Sequence, residues 1–191
     1  KNMANKDAAF GFRPTRHLTG GQIRAEEIPI ANNYNTAIYL NSVVEAVTAG
    51  SIEIATVGDV ATVGVFGGVF YTDPTTSKPT WSNYYPASTA AADLKATVYT
   101  DPNIVMEAQH DETGTQAMNF DDIDFVGTSG STTTGLSSSE LDSSTEGDGS
   151  GNFKQIGIST DPDNSDTSSA NTNAYCVFNT GIHMHKVITA L

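Results

Sequence analysis

Residues 60–86 read VATVGVFGGVFYTDPTTSKPTWSNYYP, and the reading of this stretch decides the fold class. Two apolar runs, Val60–Tyr71 and Trp81–Tyr85, flank a polar segment of turn-forming residues, Thr72-Asp-Pro-Thr-Thr-Ser-Lys-Pro. That is the pattern of a β-hairpin with a long loop. Six of the chain's aromatic residues crowd into it: Phe66, Phe70, Tyr71, Trp81, Tyr84 and Tyr85. Aromatic rings bury the largest apolar area per residue, so a core built on Phe66, Phe70, Trp81 and Tyr84 is expected here. Strict alternation sends Ala61, Val63, Val65, Val69 and Tyr71 to one face and Val60, Phe66 and Phe70 to the other. Both faces are apolar near Val65–Phe70, which predicts a central strand covered on both sides. Gly67-Gly68 in its middle predicts a bulge or a close backbone approach.

Working outward, short strand patterns recur at Ile23–Ile30, Thr36–Leu40, Val43–Val47 and Ile52–Val57, punctuated by Asn, Ser, Gly and Asp. After the hairpin come Leu94–Thr100 and Ile104–Gln109, joined by Asp101-Pro-Asn, then one helical turn at Thr115–Phe120. Phe153–Ser159 and Tyr175–Val187 are the last strand candidates. Regularly spaced short strands predict an all-β chain, a compact β-barrel or β-sandwich, with long polar loops. Four regions follow: an extended N-terminal arm over residues 1–22, a β-rich body over 23–126, a surface excursion over 127–152, and C-terminal strands over 153–191. The excursion is expected because its only apolar side chains are Leu136 and Leu141, too few to offset the entropy of ordering it.

Charge is unevenly spread over the 191 residues. Lys1, Lys6, Arg13, Arg16 and Arg24 stand against Asp7 alone in the first 24 positions, while the chain as a whole carries −13. The arm has no strand or helix period, contains Phe10 and Phe12, and is broken by Gly11, Pro14 and Gly20-Gly21. Such an arm either packs on its own domain or reaches another subunit; a basic, aromatic arm on an acidic body is suited to a neighbouring copy or another acidic partner, with Phe10, Phe12, Arg13, Arg16 and Arg24 as its contacts. The net charge disfavours nucleic acid, and no apolar run of about 18 residues predicts a membrane helix. The single cysteine, Cys176, excludes an internal disulfide and sits in the apolar run Tyr-Cys-Val-Phe, where it should act as a small hydrophobe. Met3-Ala4 resembles a translation start, and no export signal is expected.

Catalytic and metal-binding patterns are thin. His183-Met184-His185 places two imidazoles on one side of a strand without a second ligand pair, so a surface pair is expected rather than a zinc site. The acidic runs at 146–152 and 161–166 lack the ligand spacing of a calcium loop and read as turns. Asp121, Asp122 and Asp124 read as a solvated edge. No nucleophile elbow, phosphate-binding glycine loop or metalloprotease helix occurs, so neither catalysis nor a cofactor is expected.

Four stretches resemble a known family: Ala4-Asn-Lys-Asp-Ala-Ala-Phe-Gly-Phe-Arg-Pro; Val63-Gly-Val-Phe-Gly-Gly-Val-Phe-Tyr-Thr-Asp with Ser82-Asn-Tyr-Tyr-Pro; Lys95-Ala-Thr-Val-Tyr-Thr-Asp-Pro; and Ile156-Gly-Ile-Ser-Thr-Asp-Pro-Asp-Asn. They are similar to the capsid cement, or decoration, proteins of tailed bacteriophages, particularly marine and cyanobacterial ones. The resemblance implies a small β-structure on the outside of a virion, made in the host cytoplasm and bridging major capsid protein subunits. Homo-oligomeric contacts between copies of the chain are also expected, from the basic arm and the acidic body. The closing stretch follows the family only loosely, as Asn179-Thr-Gly-Ile-His183. Two other classes are a tail, fibre or receptor-binding subunit, and a carbohydrate-binding β-domain. The first should show repeats or a coiled coil and the second an export signal.

Overall fold

The strand at the centre of the hairpin, β5 (Thr62–Thr72), organises the larger of two sheets. The structure is a computed structural model that describes residues 4–58, 61–147, 149–179, 181 and 183–185. In chain order its strands are β1 (Arg13–His17), β2 (Ala25–Pro29), β3 (Val43–Ala46), β4 (Ile52–Ile54), β5, β6 (Pro79–Ser82), β7 (Lys95–Tyr99), β8 (Ile104–Gln109), β9 (Asp122–Ile123), β10 (Phe125–Val126), β11 (Glu140–Leu141), β12 (Phe153–Ile158) and β13 (Asn173–Phe178). Single 3₁₀ turns occupy Gln116–Met118 and Ser143–Thr145. The chain is all-β, and its paired strands are antiparallel. One sheet runs β2-β7-β5-β3-β4 with β6 added beside β5, a second runs β1-β8-β13-β12-β9, and β10 and β11 form a small third. None closes into a barrel among the described residues, and the arrangement fits a β-sandwich. Val60, Lys186 and Val187, which the sequence reading assigned to strands, and Thr180 and Ile182 of the closing stretch lie outside the described residues.

Two cores result. Val43 and Val65 of the larger sheet, with Ala55 just beyond β4, meet Ile104, Met106, Ala108, Phe153, Cys176 and Phe178 of the other in the core between the sheets. The opposite face of the larger sheet carries Val44, Val63, Phe66, Val69, Ala96 and Val98, covered by Ile30, Ile38, Tyr85 and Leu94 from its connections. Strand β5 is therefore central and covered on both sides, but its residues are sorted otherwise than strict alternation predicts. Val63, Phe66, Val69 and Tyr71 share one core while Val65 joins the other. Register shifts explain this: the β3 ladder slips between Gly64 and Thr62, and the β7 ladder between Phe66 and Gly68. Each extra residue reverses which face the following side chains take.

The expected aromatic core needs correction. Phe66 is fully buried, but Phe70 is 45% and Trp81 61% exposed, and Tyr84 is only half-buried. The ring that fills the inner position is Tyr85, whose hydroxyl donates to the Tyr34 carbonyl at 2.8 Å. The hairpin places Phe70 and Trp81 opposite each other on its outward side, where no second sheet covers them. The turn Asp101-Pro-Asn also does more than join neighbours, because β7 and β8 belong to different sheets. The Asp101 carboxylate accepts the Asn103 N–H at 3.0 Å and holds this crossover.

Two expected loose regions are built in. Residues 5–17 lie on their own body: Asn5 Nδ2 donates to the Asp166 carbonyl at 2.8 Å, and Ala8 N–H donates to Gln109 Oε1 at 3.0 Å. The segment ends in β1, an edge strand on β8 in which Pro14 is tolerated because one side is unpaired. The 127–152 segment is likewise no mere excursion. Leu141 is fully buried in the intersheet core, Ser137 and Ser139 are enclosed, and the Ser137 N–H donates to the Leu40 carbonyl at 2.9 Å. Its tip, Ser131–Thr134, is exposed, as are Glu146, Gly147, Gly149 and Ser150 near its end. Asp122 Oδ2 accepts the N–H groups of Gly149 and Gly151, each at 2.9 Å, and Asp124 Oδ1 accepts that of Asn152 at 2.9 Å. These carboxylates fasten the returning chain rather than forming a solvated edge.

Candidate partner-binding edge

The N-terminal side chains expected to contact a partner divide into three kinds. Phe12 is enclosed, stacked on Phe153 at 4.3 Å and edge-on to Phe125 at 6.1 Å. Gly11 makes this burial possible. Its φ is +74°, and a Cβ there would stand 2.6 Å from the Asn41 carbonyl oxygen. The Phe12 N–H donates to that same oxygen at 2.9 Å. Phe12 is thus a core residue and unable to anchor on another chain. Phe10 is half-buried, with the Arg13 guanidinium 4.7 Å above its ring.

The arginines remain outward. Arg13 Nη2 donates to Glu107 Oε2 at 2.5 Å, yet about half of its side chain is exposed. Glu107 itself is buried on β8 and also accepts the Ser159 hydroxyl at 2.5 Å, so the pair fixes where the guanidinium sits. Arg16 is exposed, its guanidinium 5.7 Å over the Tyr175 ring, and Arg24 is exposed in the connection to β2. His17 closes the strand, Nε2 lying 3.0 Å from Asp101 Oδ2. Burial raises the Asp101 pKa, but the Asn103 N–H, His17 and Arg24 outweigh it and hold the carboxyl below its usual value.

Beside β1 lies a cavity of about 510 Å³, lined by Arg13, Pro14, Ile23, Leu40, Asn41, Tyr99 and Leu136. It joins β1, β7 and the returning 127–152 segment, three regions far apart in sequence. Its lining is mostly apolar with one guanidinium, a combination that fits an apolar side chain followed by an acid. Reading the sequence identified Arg13 but missed Ile23, Leu40, Tyr99 and Leu136. No local signal brings these together, because only the crossover between sheets does so.

The remaining chemistry resolves into structural pins. His110 is fully buried, with Nδ1 3.0 Å from the Ser143 hydroxyl and Nε2 2.8 Å from Gln155 Oε1. Burial pushes its pKa down, so the ring is held neutral. Gln155 Oε1 then accepts the Nε2 proton, and Nδ1 accepts from Ser143. The pairing has the form of a nucleophile and its base, but the imidazole is sealed inside the fold. His183 is buried against Phe178 at 4.9 Å, not at the surface as expected. Cys176 is enclosed, and burial pushes its thiol up. Among the described residues no three His, Cys, Asp or Glu side chains converge as metal ligands. Comparisons with models of known families, with curated proteins and with solved structures find no match.

Proposed function

We propose that this chain is a non-catalytic structural protein of a phage virion that binds the outside of the capsid and bridges major capsid protein subunits. One observation carries the reading: an open sheet edge, β1, presents Arg13 and Arg16 beside an apolar cavity on a chain of net charge −13. An edge strand offers unpaired backbone groups, the guanidinium groups select an acidic partner, and the cavity receives an apolar side chain. A major capsid protein strand or loop of that chemistry is the partner, and a neighbouring acidic copy is the second. One of the stretches that resemble the decoration family, Ala4–Pro14, runs into the start of this edge at Arg13 and Pro14. Its role differs from a swinging arm, because the arginines are delivered by a strand fixed to the body.

The test is charge reversal at exposed positions that leave the core intact. An Arg16→Glu, Arg24→Glu double variant should keep its fold by circular dichroism. It should bind shells stripped of their native decoration several-fold more weakly. Wild-type binding should weaken as salt is raised, since exposed pairs are screened over about 8–10 Å at physiological ionic strength. Unchanged occupancy of the double variant would refute the edge as the docking site.

A further inference from the structure

The larger sheet carries a second surface that the docking edge does not use. Across its uncovered end, one row of side chains runs Trp81, Phe70, Lys95 and Pro29 on β6, β5, β7 and β2, and the next runs Gly68, Thr97 and Glu27. Their neighbours Val69, Ala96 and Val98 turn inward to the core, so the platform is rigid. Phe70 and Trp81 are partners across the ladder, with cross-strand Cβ atoms about 5 Å apart, and both side chains are exposed to solvent.

Gly68 shows how the indole is held. Its φ is +132°, and a Cβ at this position would lie 2.8 Å from the Trp81 ring, so the indole rests against the bare backbone of β5. A ring supported in this way by the strand and 61% exposed presents its free surface to solvent. The polar rim is weakly acidic: Lys95 Nζ pairs with Glu27 Oε2 at 3.3 Å, and the Asp93 carboxylate accepts the Thr72 hydroxyl at 2.7 Å on the row beyond Phe70, which disfavours an anionic ligand. The exposed aromatic area is on the order of 250 Å², well below the roughly 800 Å² that each partner contributes to a stable protein interface. A small, flat, neutral ligand suits the surface better than a second protein. The acidic chain also disfavours a nucleobase carrying its phosphates.

From this geometry we propose that Trp81 and Phe70 form a stacking platform for a neutral, β-linked pyranose chain. In β-linked chains of gluco configuration every ring substituent is equatorial and every ring C–H axial, giving each ring apolar faces for the aromatics. Their equatorial hydroxyls reach sideways to Thr97, Lys95 and Glu27. The platform uses none of Arg13, Arg16 and Arg24, although Tyr99 of the same β7 strand lines the cavity beside the docking edge.

Trp81 is the chain's single tryptophan, so its fluorescence reports on the platform alone. The full chain would be titrated with cellohexaose, N-acetylchitohexaose and, as an α-linked control, maltohexaose. A saturable emission change with a β-linked probe and none with maltohexaose is expected. Calorimetry should show that binding is lost in Trp81→Ala and at least tenfold weaker in Phe70→Ala, both folded by circular dichroism. No response to either β-linked probe at about 10 mM, well above a 1 mM dissociation constant, would overturn the proposal. So would an equal response in the folded Trp81→Ala variant. Loss of shell occupancy in Trp81→Ala without any sugar response would instead assign the platform to protein docking.

Discussion

Phe12 shows how far one residue's role depends on its surroundings. Flanked by Gly11 and Arg13 in a polar segment, it has the sequence signature of an exposed anchor, yet it fills the intersheet core against Phe125 and Phe153. Phe12→Ala should cost about 3–5 kcal/mol in urea unfolding, as removal of a fully buried ring does. Glu140 behaves in the opposite sense. Partial burial, with Asp7 and Asp111 nearby, raises its carboxyl to about 7. A folded pKa above the ordinary 4.5 means that the protonated form is favoured by folding. The associated stability is complete below about 4.5 and is lost as pH rises through about 7. Glu140→Gln should therefore raise the melting temperature relative to wild type more at pH 8 than at pH 5. An equal shift at both values would contradict this.

Among the elements, the 127–152 segment separates composition from packing. Thirteen of its residues are Ser or Thr, and few can drive burial by themselves. The segment is ordered because others receive it: Leu40 accepts the Ser137 N–H, Asn83 donates to the Thr134 carbonyl at 2.9 Å, and Asp122 and Asp124 hold its end. Gly130 permits the approach, since a Cβ there would lie 2.4 Å from the Tyr39 ring. Replacing the exposed tip Ser131–Thr134 with a Gly-Ser turn should change stability by less than about 1 kcal/mol, because closure entropy varies slowly with length. Leu141→Ala, at the root of the same segment, should cost about 2–5 kcal/mol. Chemical denaturation of the two variants side by side reads the difference.

At the scale of the whole molecule, the N-terminal segment is a structural part of the sandwich. It supplies Phe12 to the core, β1 to the smaller sheet, and backbone partners to Gln109 and Asn164, whose side chains both donate to the Lys6 carbonyl. Deleting residues 1–17 should therefore lower the melting temperature by more than 10 °C or prevent folding, whereas removal of a free arm would leave it unchanged. Thermal unfolding of the purified truncation decides between them. The consequence for binding experiments is that partner contacts are tested by substituting Arg16 and Arg24.

Much of the architecture is local information. The hairpin at 60–86, the bulge at Gly67-Gly68 and β8 are legible because turn residues and two-residue periodicity are properties of adjacent positions. The strands at 43–47, 52–57, 94–100 and 153–159 are observed within a few residues of the expected limits for the same reason. What periodicity cannot state is which sheet a strand joins, which of two apolar faces is covered, and what lies over a polar segment. Phe70 and Trp81 have the composition of a core and stand in solvent because the second sheet does not extend over their end of β5. Phe12 and Leu141 have polar neighbours and are buried because distant strands close around them. Burial is set by the three-dimensional neighbours of a side chain, and for this chain those neighbours come from long-range strand pairing that only the tertiary structure decides.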